Sequence, residues 1–278
     1  MPVAHLTDRA VLAVAGPDAR TLLHNVLTAD MNRVDAQGSG FGALLIPQGK
    51  ILWDFIIHRS GAGYALDLRA DQLDAFAKRL VLYRLRSNVD IAPDGTLAVF
   101  AAWGGQSAQP ADPRLVELGS RWVAAAGHEA TDATLDDWHR HRIAFAVPEG
   151  GVDFAFGDAF PHDAAMDSLN GLAFDKGCYI GQEVVSRMRH RGTARRRIVA
   201  VTSTGPLPGP GAEIVAGDRP IGLLGSSAAG KAIGLVRLDR AREAMDAGLP
   251  LRAGAGEIEV ALPRWVTYAW PAPATPGD

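Results

Sequence analysis

From about residue 197 to residue 262, glycine and proline cut the sequence into short strand-like runs, and this pattern constrains the fold more than any other feature. Turn residues separate the runs at intervals of roughly ten residues. Short strands at such spacing are typical of a small antiparallel barrel. We therefore predict a carboxy-terminal barrel domain over residues 197–270, with strands at 197–203, 213–215, 220–224, 232–236, 249–252 and 257–262.

The first 196 residues have a different pattern, in which strands and helices alternate. Strand-like runs separated by turn residues are followed by a helix, by further strands and by another helix. That order indicates an α+β domain, which we predict over residues 1–196, and we expect a flexible, proline-rich tail at 271–278. The predicted elements are strands at 12–15, 42–47, 50–59, 63–69, 97–103 and 121–126, and helices at 18–28, 70–87 and 134–147.

Two of these elements predict which side chains are buried. In the strand at 50–59, Asp54 is the odd polar residue on an otherwise largely apolar face. In the helix at 70–87, apolar residues recur at helical spacing and predict one buried stripe. That stripe consists of Leu73, Phe76, Leu80, Val81 and Leu85.

Composition excludes several classes of protein. Hydrophobic residues make up 47% of the 278 residues and charged residues 21%, so a disordered chain is excluded. No apolar run approaches the ~18 residues that span a bilayer, and no export signal is visible. The single cysteine rules out an intramolecular disulfide or a metal site built from several thiolates of this chain, and the histidines form no convincing metal set. We therefore expect a cytoplasmic protein without a membrane partner.

Charge is distributed unevenly along the chain. Residues 176–197 contain seven lysine and arginine residues and one acid, whereas the whole chain has a net charge of −3. A basic segment favours an anionic partner, such as carboxylates, phosphates or nucleic acid. The alternative is a solvated strand pair that balances acidic neighbours within the fold. Because Met188 is the only large apolar residue between Arg187 and Arg197, no base-stacking platform is evident, and we predict no nucleic-acid partner.

The most unusual segment is residues 176–183, Lys-Gly-Cys-Tyr-Ile-Gly-Gln-Glu, which contains the single cysteine. Gly177 and Gly181 allow tight turns and close backbone approach. Lys176 favours the thiolate form of Cys178 by Coulomb attraction. We therefore predict that Cys178 is a reactive or ligand-donating thiol with Lys176 as its charged partner. The alternative is a small buried hydrophobic side chain.

The end of this segment has the pattern of a helix start. Gln182 and Glu183 follow Tyr179-Ile180-Gly181 and begin a run that continues to Met188. An acid in the first turn of a helix is favoured electrostatically. Glu183 is therefore either a functional residue of the motif or a helix cap.

The octapeptide at 176–183 resembles the signature of the YgfZ family. These are folate-binding proteins similar in fold to the glycine cleavage T-protein (GcvT) and tied to iron-sulfur cluster assembly or repair. Weaker matches in the same order, at 16–20, 27–30, 47–51, 222–226 and 234–237, extend the resemblance from about residue 12 to residue 262. It implies an α+β fold, a GcvT-like ring of two intertwined subdomains with a C-terminal antiparallel β-barrel, and a reduced folate in the central opening.

One position departs from the aminomethyltransferases of that superfamily. They carry two aspartates where this sequence has Trp53 and Asp54, and the resemblance assigns the chemistry to the first of them. An indole cannot accept a proton as a carboxylate does, so we expect no aminomethyl transfer. The folate pocket is expected to persist, with Trp53 and Asp54 in it and Arg187 available for the glutamate tail. Trp53 is either a stacking face for the pterin or a core side chain.

The sequence thus predicts a tetrahydrofolate-binding accessory protein that assists the assembly or repair of iron-sulfur clusters. Cys178 is its functional thiol, and its partners are reduced folate and iron-sulfur client or assembly proteins. A folate-dependent aminomethyltransferase or other one-carbon transferase is the alternative. A nucleic-acid-binding module that uses residues 187–197 ranks below both.

Overall fold

The computed structural model describes residues 1–192 and 194–272. They form two compact units: residues 1–138 with 169–186, and residues 139–168 with those from 187 onward. Residues 139–168 thus share a unit with the barrel, whereas the predicted limits group them with the first domain. Most of the predicted tail at 271–278 lies outside the described residues. In the described part of the chain, no helix has the length and apolar character needed to cross a membrane.

The first unit combines helices with antiparallel strands. Its strands are β1 (Val3–His5), β2 (Arg9–Ala15), β3 (Ser39–Leu45), β4 (Ile51–Ser60), β5 (Gly63–Arg69), β6 (Asp90–Pro93), β7 (Leu97–Ala102) and β8 (Ser120–Ala125). Its helices are α1 (Ala19–Val26), α2 (Met31–Gln37) and α3 (Leu73–Arg84). The strands form one sheet in the order β3-β4-β5-β2-β6 and another in the order β1-β7-β8. Two more helices, α4 (Leu135–Ala144) and α5 (Gln182–Arg191), run across the limits between the units.

Strand β4 separates the apolar core of this unit from a polar face. Phe55 belongs to the core cluster together with Phe76 of α3, and Trp53 packs against it. Because side chains alternate along a strand, Asp54 and His58 point to the other face, where both are buried. Asp54 is thus the buried polar residue expected in this strand, but the expectation of an otherwise largely apolar face is wrong, because the buried His58 lies on the same face.

The polar face carries a buried cluster of charges centred on Asp67 of β5, which the sequence analysis missed. The Asp67 carboxylate accepts hydrogen bonds from Arg9 Nε at 2.7 Å and from Arg121 Nε at 2.6 Å. His58 Nε2 lies 3.9 Å from the same carboxylate. Burial raises the pKa of Asp67, but the guanidinium groups of Arg121 and Arg9 outweigh it and hold that pKa well below its usual range. Among the described residues, neither Nη atom of Arg121 has a hydrogen-bond partner, so Asp67 is essential for compensating its charge.

Helix α3 buries fewer apolar side chains than its sequence predicts. Phe76 and Leu80 are buried, but Val81 is 39% exposed and Leu85 is 86% exposed, so the prediction is wrong for these two. Val81 is one residue, or about 100° around the helix, from Leu80. The helix ends at Arg84, and Leu85 has a φ of 47°, which is sterically unfavourable for leucine. The backbone therefore leaves the helix before the predicted stripe is complete.

The second unit contains the predicted antiparallel barrel. Its strands are β9 (Arg196–Thr202), β10 (Glu213–Ala216), β11 (Arg219–Ala228), β12 (Lys231–Arg237), β13 (Leu251–Ala253) and β14 (Gly256–Ala261). They close in the order β10-β11-β12-β9-β14-β13, which confirms the prediction of a closed sheet. A helix that was not predicted, α6 (Leu238–Asp246), follows β12 and adds Leu238, Ala241 and Ala244 to the barrel core.

Two arginines of the basic segment are paired with acids of their own unit. Arg196 donates to Asp158 and to Asp163, each at 2.9 Å. Arg197 Nη1 donates to both carboxylate oxygens of Asp167 at 2.9 Å. For these two residues the alternative interpretation holds, in which acidic neighbours within the fold balance the basic segment.

Candidate functional site

The loop at 171–181 presents the single cysteine on the surface of the first unit. Cys178 is exposed, whereas the next residue, Tyr179, is buried. The alternative prediction of a small buried hydrophobic side chain is therefore wrong. The backbone immediately after the thiol is fixed in the fold, while the thiol itself faces solvent.

Lys176 fixes the loop on the other side of the thiol. Its ammonium donates hydrogen bonds to the carbonyl oxygens of His24 and Leu27 at 2.5 Å and of Ala29 at 2.8 Å. Because an ammonium has three N–H donors, none is left for a hydrogen bond to Cys178. Lys176 thus fastens the loop to α1 and to the connection between α1 and α2, and its electrostatic effect on the thiol stays a prediction. Burial lowers the pKa of Lys176 to about 8.

Tyr179 and Ile180 complete this anchor. The Lys176 Nζ atom lies 5.0 Å from the centroid of the Tyr179 ring, a cation–π contact. Burial raises the pKa of Tyr179 to about 12, and in the described part of the chain its hydroxyl has no hydrogen-bond partner. Packing of the ring therefore holds Tyr179 in place. Ile180 packs against the apolar core, so the residues around Cys178 are held on both sides.

The two glycines of the motif have different roles. Gly181 has a φ of 80°, and a Cβ atom there would lie 2.7 Å from the carbonyl oxygen of Ile46. Only glycine lets the start of α5 approach the turn between β3 and β4 so closely. A Cβ atom at Gly177 would meet nothing within 4 Å. The prediction of close backbone approach is confirmed for Gly181 and wrong for Gly177.

Further contacts tie the start of the loop to the same α1–α2 connection. Thr28 Oγ1 donates to the carbonyl oxygen of Gly171 at 2.7 Å, and Arg33 donates to Asp175 at 2.8 Å. The Thr28 bond is buried and contributes more than the exposed ion pair. The partners in each pair are more than 140 residues apart, so no local sequence pattern could have identified them.

Helix α5 begins at the end of the motif, as predicted. Gln182 and Glu183 lie in its first turn, and Glu183 is exposed. An acid at this position interacts favourably with the helix dipole, which supports a helix-terminal role for Glu183. Arg187 is exposed one turn later, and its contact with a glutamate tail stays a prediction.

Trp53 and Asp54 point to opposite faces of β4. The Trp53 ring packs edge-on against Phe76 with centroids 5.5 Å apart, and its Nε1 donates to Gln72 at 3.1 Å. These contacts favour the core alternative for Trp53, which is partly buried, and its role as a stacking face for a pterin stays a prediction. Asp54 is a buried carboxylate on the polar face. The polar face therefore keeps a carboxylate, although Trp53 stands where the aminomethyltransferases have the first of their two aspartates. The expected absence of aminomethyl transfer stays a prediction.

Among the described residues, Cys178 belongs to no set of three or more metal-binding side chains (His, Cys, Asp or Glu). A thiolate is a good ligand for iron, but an iron-sulfur cluster has several ligands. Cys178 is the one cysteine thiolate that this chain can offer to such a cluster.

Comparison with known proteins identifies the family. Residues 195–268 match the family model described as CAF17, C-terminal beta-barrel domain. The human mitochondrial iron-sulfur cluster assembly factor IBA57 is 32% identical over an alignment that covers 96% of this chain and 84% of the human protein. The chain belongs to the IBA57 family. Mouse IBA57 is 29% identical over 96% of this chain and 78% of its own length. The Neurospora crassa IBA57 homologue is 30% identical over an alignment that covers 70% of this chain and 52% of that protein.

The fold of this IBA57-family chain has a known counterpart. The crystal structure of glycine cleavage system aminomethyltransferase T from Bartonella henselae matches with a TM-score of 0.69 and covers 94% of this chain and 85% of that one. The sequence identity is 17%, so the likeness concerns the fold alone. The predicted fold class is confirmed as a GcvT aminomethyltransferase-like mixed α/β fold with a closed six-stranded C-terminal barrel.

The predicted compartment is corrected by the same relatives. The human, mouse and Neurospora crassa proteins are all named as mitochondrial, so the expectation of a cytoplasmic protein is wrong. That expectation was based on a single cysteine, which indicates a reducing environment but does not distinguish one reducing compartment from another. Membership of the YgfZ family stays a resemblance based on the octapeptide.

Proposed function

We propose that this IBA57-family chain is an iron-sulfur cluster assembly factor in which Cys178 supplies one ligand to a cluster held jointly with another molecule. One observation carries the proposal: an exposed thiol stands on a loop that is anchored on both sides, by Lys176 and by Tyr179. A ligand that meets its partner in solution must be accessible. Anchoring keeps the entropy lost on binding small.

The chemistry of the site suits a cluster that is cargo and not a resident cofactor. A single thiolate from this chain leaves most of the cluster to be ligated by its other holder, so the cluster can pass on by exchange of ligands. The loop anchors do not take part in that exchange. Lys176 bonds to backbone carbonyls and Tyr179 packs through its ring, so both keep the thiol in place whether or not a cluster is bound.

Anaerobic reconstitution with ferrous iron, sulfide and glutathione tests this proposal. We expect the wild-type chain to acquire cluster absorption and Cys178→Ser to acquire about tenfold less, because a hydroxyl is a harder and poorer ligand for iron. The matched control is Cys178→Ser combined with Ser60→Cys, which moves the thiol to another exposed position. The proposal is contradicted if Cys178→Ser acquires as much cluster absorption as the wild type, or if the control variant recovers the full wild-type absorption.

We further propose that reduced folate binds on the polar face of the first unit, with Asp54 recognising the pterin. A pterin presents adjacent N–H donors along its aminopyrimidinone edge, and a carboxylate can accept both. The buried environment of Asp54 strengthens such hydrogen bonds. Tetrahydrofolate, when bound, supplies a carrier for one-carbon units. The one-carbon transferase alternative has only the shared fold in its favour.

Calorimetry with tetrahydrofolate tests the role of Asp54. We expect Asp54→Asn to weaken binding about tenfold or more, since a charge-assisted hydrogen bond is lost. Trp53→Phe is the matched control at the neighbouring position and leaves the affinity within about twofold, because Trp53 packs in the core on the opposite face. Equal effects of the two substitutions, or no heat of binding with the wild-type chain, contradict the assignment.

A further inference from the structure

The end of α3 and the residues after it form a surface, residues 78–87, that we call the α3 surface. Leu85 is 86% exposed, Leu82 is 65% exposed and Val81 is 39% exposed. Three of the seven exposed large hydrophobic residues in the described part of the chain thus fall within five consecutive positions. Isolated exposed leucines are common on proteins, but a cluster of this kind marks an interaction site.

The fold itself does not require these side chains. Phe76 and Leu80 already bury the inner side of α3, and Tyr83 packs against the same core. Leu85 also has a φ of 47°, a conformation that is rare and strained for a bulky residue. An exposed leucine on a strained backbone is unfavourable for the isolated chain in two respects. Both features are typical of sites that contact another molecule.

The charges of the α3 surface restrict what that molecule is. Residues 78–87 contain four cations and no acid. Lys78, Arg79 and Arg86 are exposed around the apolar side chains, and Arg84 donates to the carbonyl oxygen of Val89 at 3.3 Å. An apolar centre with a charged rim is the usual anatomy of a protein interface. A second copy of the same surface would bring like charges together, so the rim favours an acidic partner.

The shape of the surface also favours a protein segment. Beside Leu85 lies an open hollow of about 760 Å³, lined by Asp18, Thr21, Leu85, Arg86 and Ser87. A protein segment can place several side chains in a hollow of this size. We propose that the α3 surface docks an acidic segment of another protein, which places an apolar side chain in the hollow beside Leu85. This goes beyond the proposed function, because it holds even if Cys178 binds no cluster.

Photocrosslinking of the full chain in the cells it comes from tests this proposal. A benzoylphenylalanine at position 82 is activated by light, and the crosslinked peptide is sequenced by mass spectrometry. The matched control carries the same group at Val116, which is 71% exposed but is followed by the acid Glu117. We expect position 82, and not position 116, to capture a segment rich in Asp and Glu with an apolar residue among them. Lys78→Glu combined with Arg79→Glu should lower the yield about tenfold without changing the melting temperature.

Several outcomes overturn the proposal. They are the absence of an adduct from position 82, an adduct with a second copy of this chain or with lipid, a captured segment without acids, and a yield that charge reversal does not change. Cys178→Ala keeps the crosslink if the α3 surface acts independently of the thiol. Failure of the cluster proposal and failure of this one are therefore distinguishable.

Discussion

Replacing Cys178 by alanine abolishes the restoration of 4Fe-4S enzyme activity in cells that lack the protein, and leaves the melting temperature of the purified chain within about 2 °C of wild type. The first effect is expected because no other thiol in this chain can serve as the ligand. The second is expected because Cys178 is exposed and its side chain contributes nothing to a core. The measurement pairs enzyme assays in complemented cells with calorimetry of the purified variant.

Gly177→Ala is the matched control for this experiment. It alters the neighbouring residue, but the added methyl group meets no atom within 4 Å, so both activity and melting should be unchanged. A purely structural cysteine gives a different pattern, in which activity falls in proportion to the folded fraction. Full restoration of enzyme activity by Cys178→Ala contradicts the role assigned to the thiol.

Replacing Asp67 by asparagine lowers the free energy of unfolding by about 3–5 kcal/mol, the cost of removing one member of a buried ion pair. The reason is that Arg9 and Arg121 then face each other across a neutral amide, and Arg121 is completely buried. Urea unfolding measures the change. Asp218→Asn, at an exposed turn, is the matched control and stays within about 0.5 kcal/mol of wild type.

The difference in the free energy of unfolding between the wild type and Asp67→Asn, which we call the stability advantage, also depends on pH. The pKa of Asp67 is depressed in the folded state, so the unfolded chain binds a proton at this position before the folded chain does. The stability advantage is therefore fully present above about 3.9, the pKa of an aspartate in the unfolded chain, and it declines as the pH falls below that value. Urea unfolding at a series of pH values tests the sign. A stability advantage that stays constant or grows as the solution is acidified contradicts the ion-pair account.

The sequence pattern predicts the regular parts of this fold because periodicity is local. The barrel strands and the α5 start at Gln182 follow from spacing and turn residues, and the structure shows both. The helix at 70–87 shows the limit of this reasoning. Its apolar period continues to Leu85, but the backbone turns at that residue, and no periodic pattern reports a strained φ of 47°.

The candidate site was predictable in its residue and not in its contacts. Cys178 stands out in the octapeptide, and its exposure agrees with a functional thiol. Lys176 is two residues away in sequence, which suggested an electrostatic partner, but its hydrogen bonds go to carbonyl groups about 150 residues earlier. The Asp67 cluster had one local signal, a lone acid in an apolar strand, and its arginines come from distant strands. Pairing across such distances is set by the tertiary fold.

The central claim, that Cys178 is a cluster ligand, is tested most directly by alkylation with iodoacetamide. Because the chain has one cysteine, the mass of the modified protein reports on Cys178 alone. In the anaerobically reconstituted sample we predict that Cys178 resists modification while the cluster is intact and is fully modified after chelation removes the iron, since the freed thiol is exposed. Modification at the same rate before and after chelation would show that the cluster is bound elsewhere.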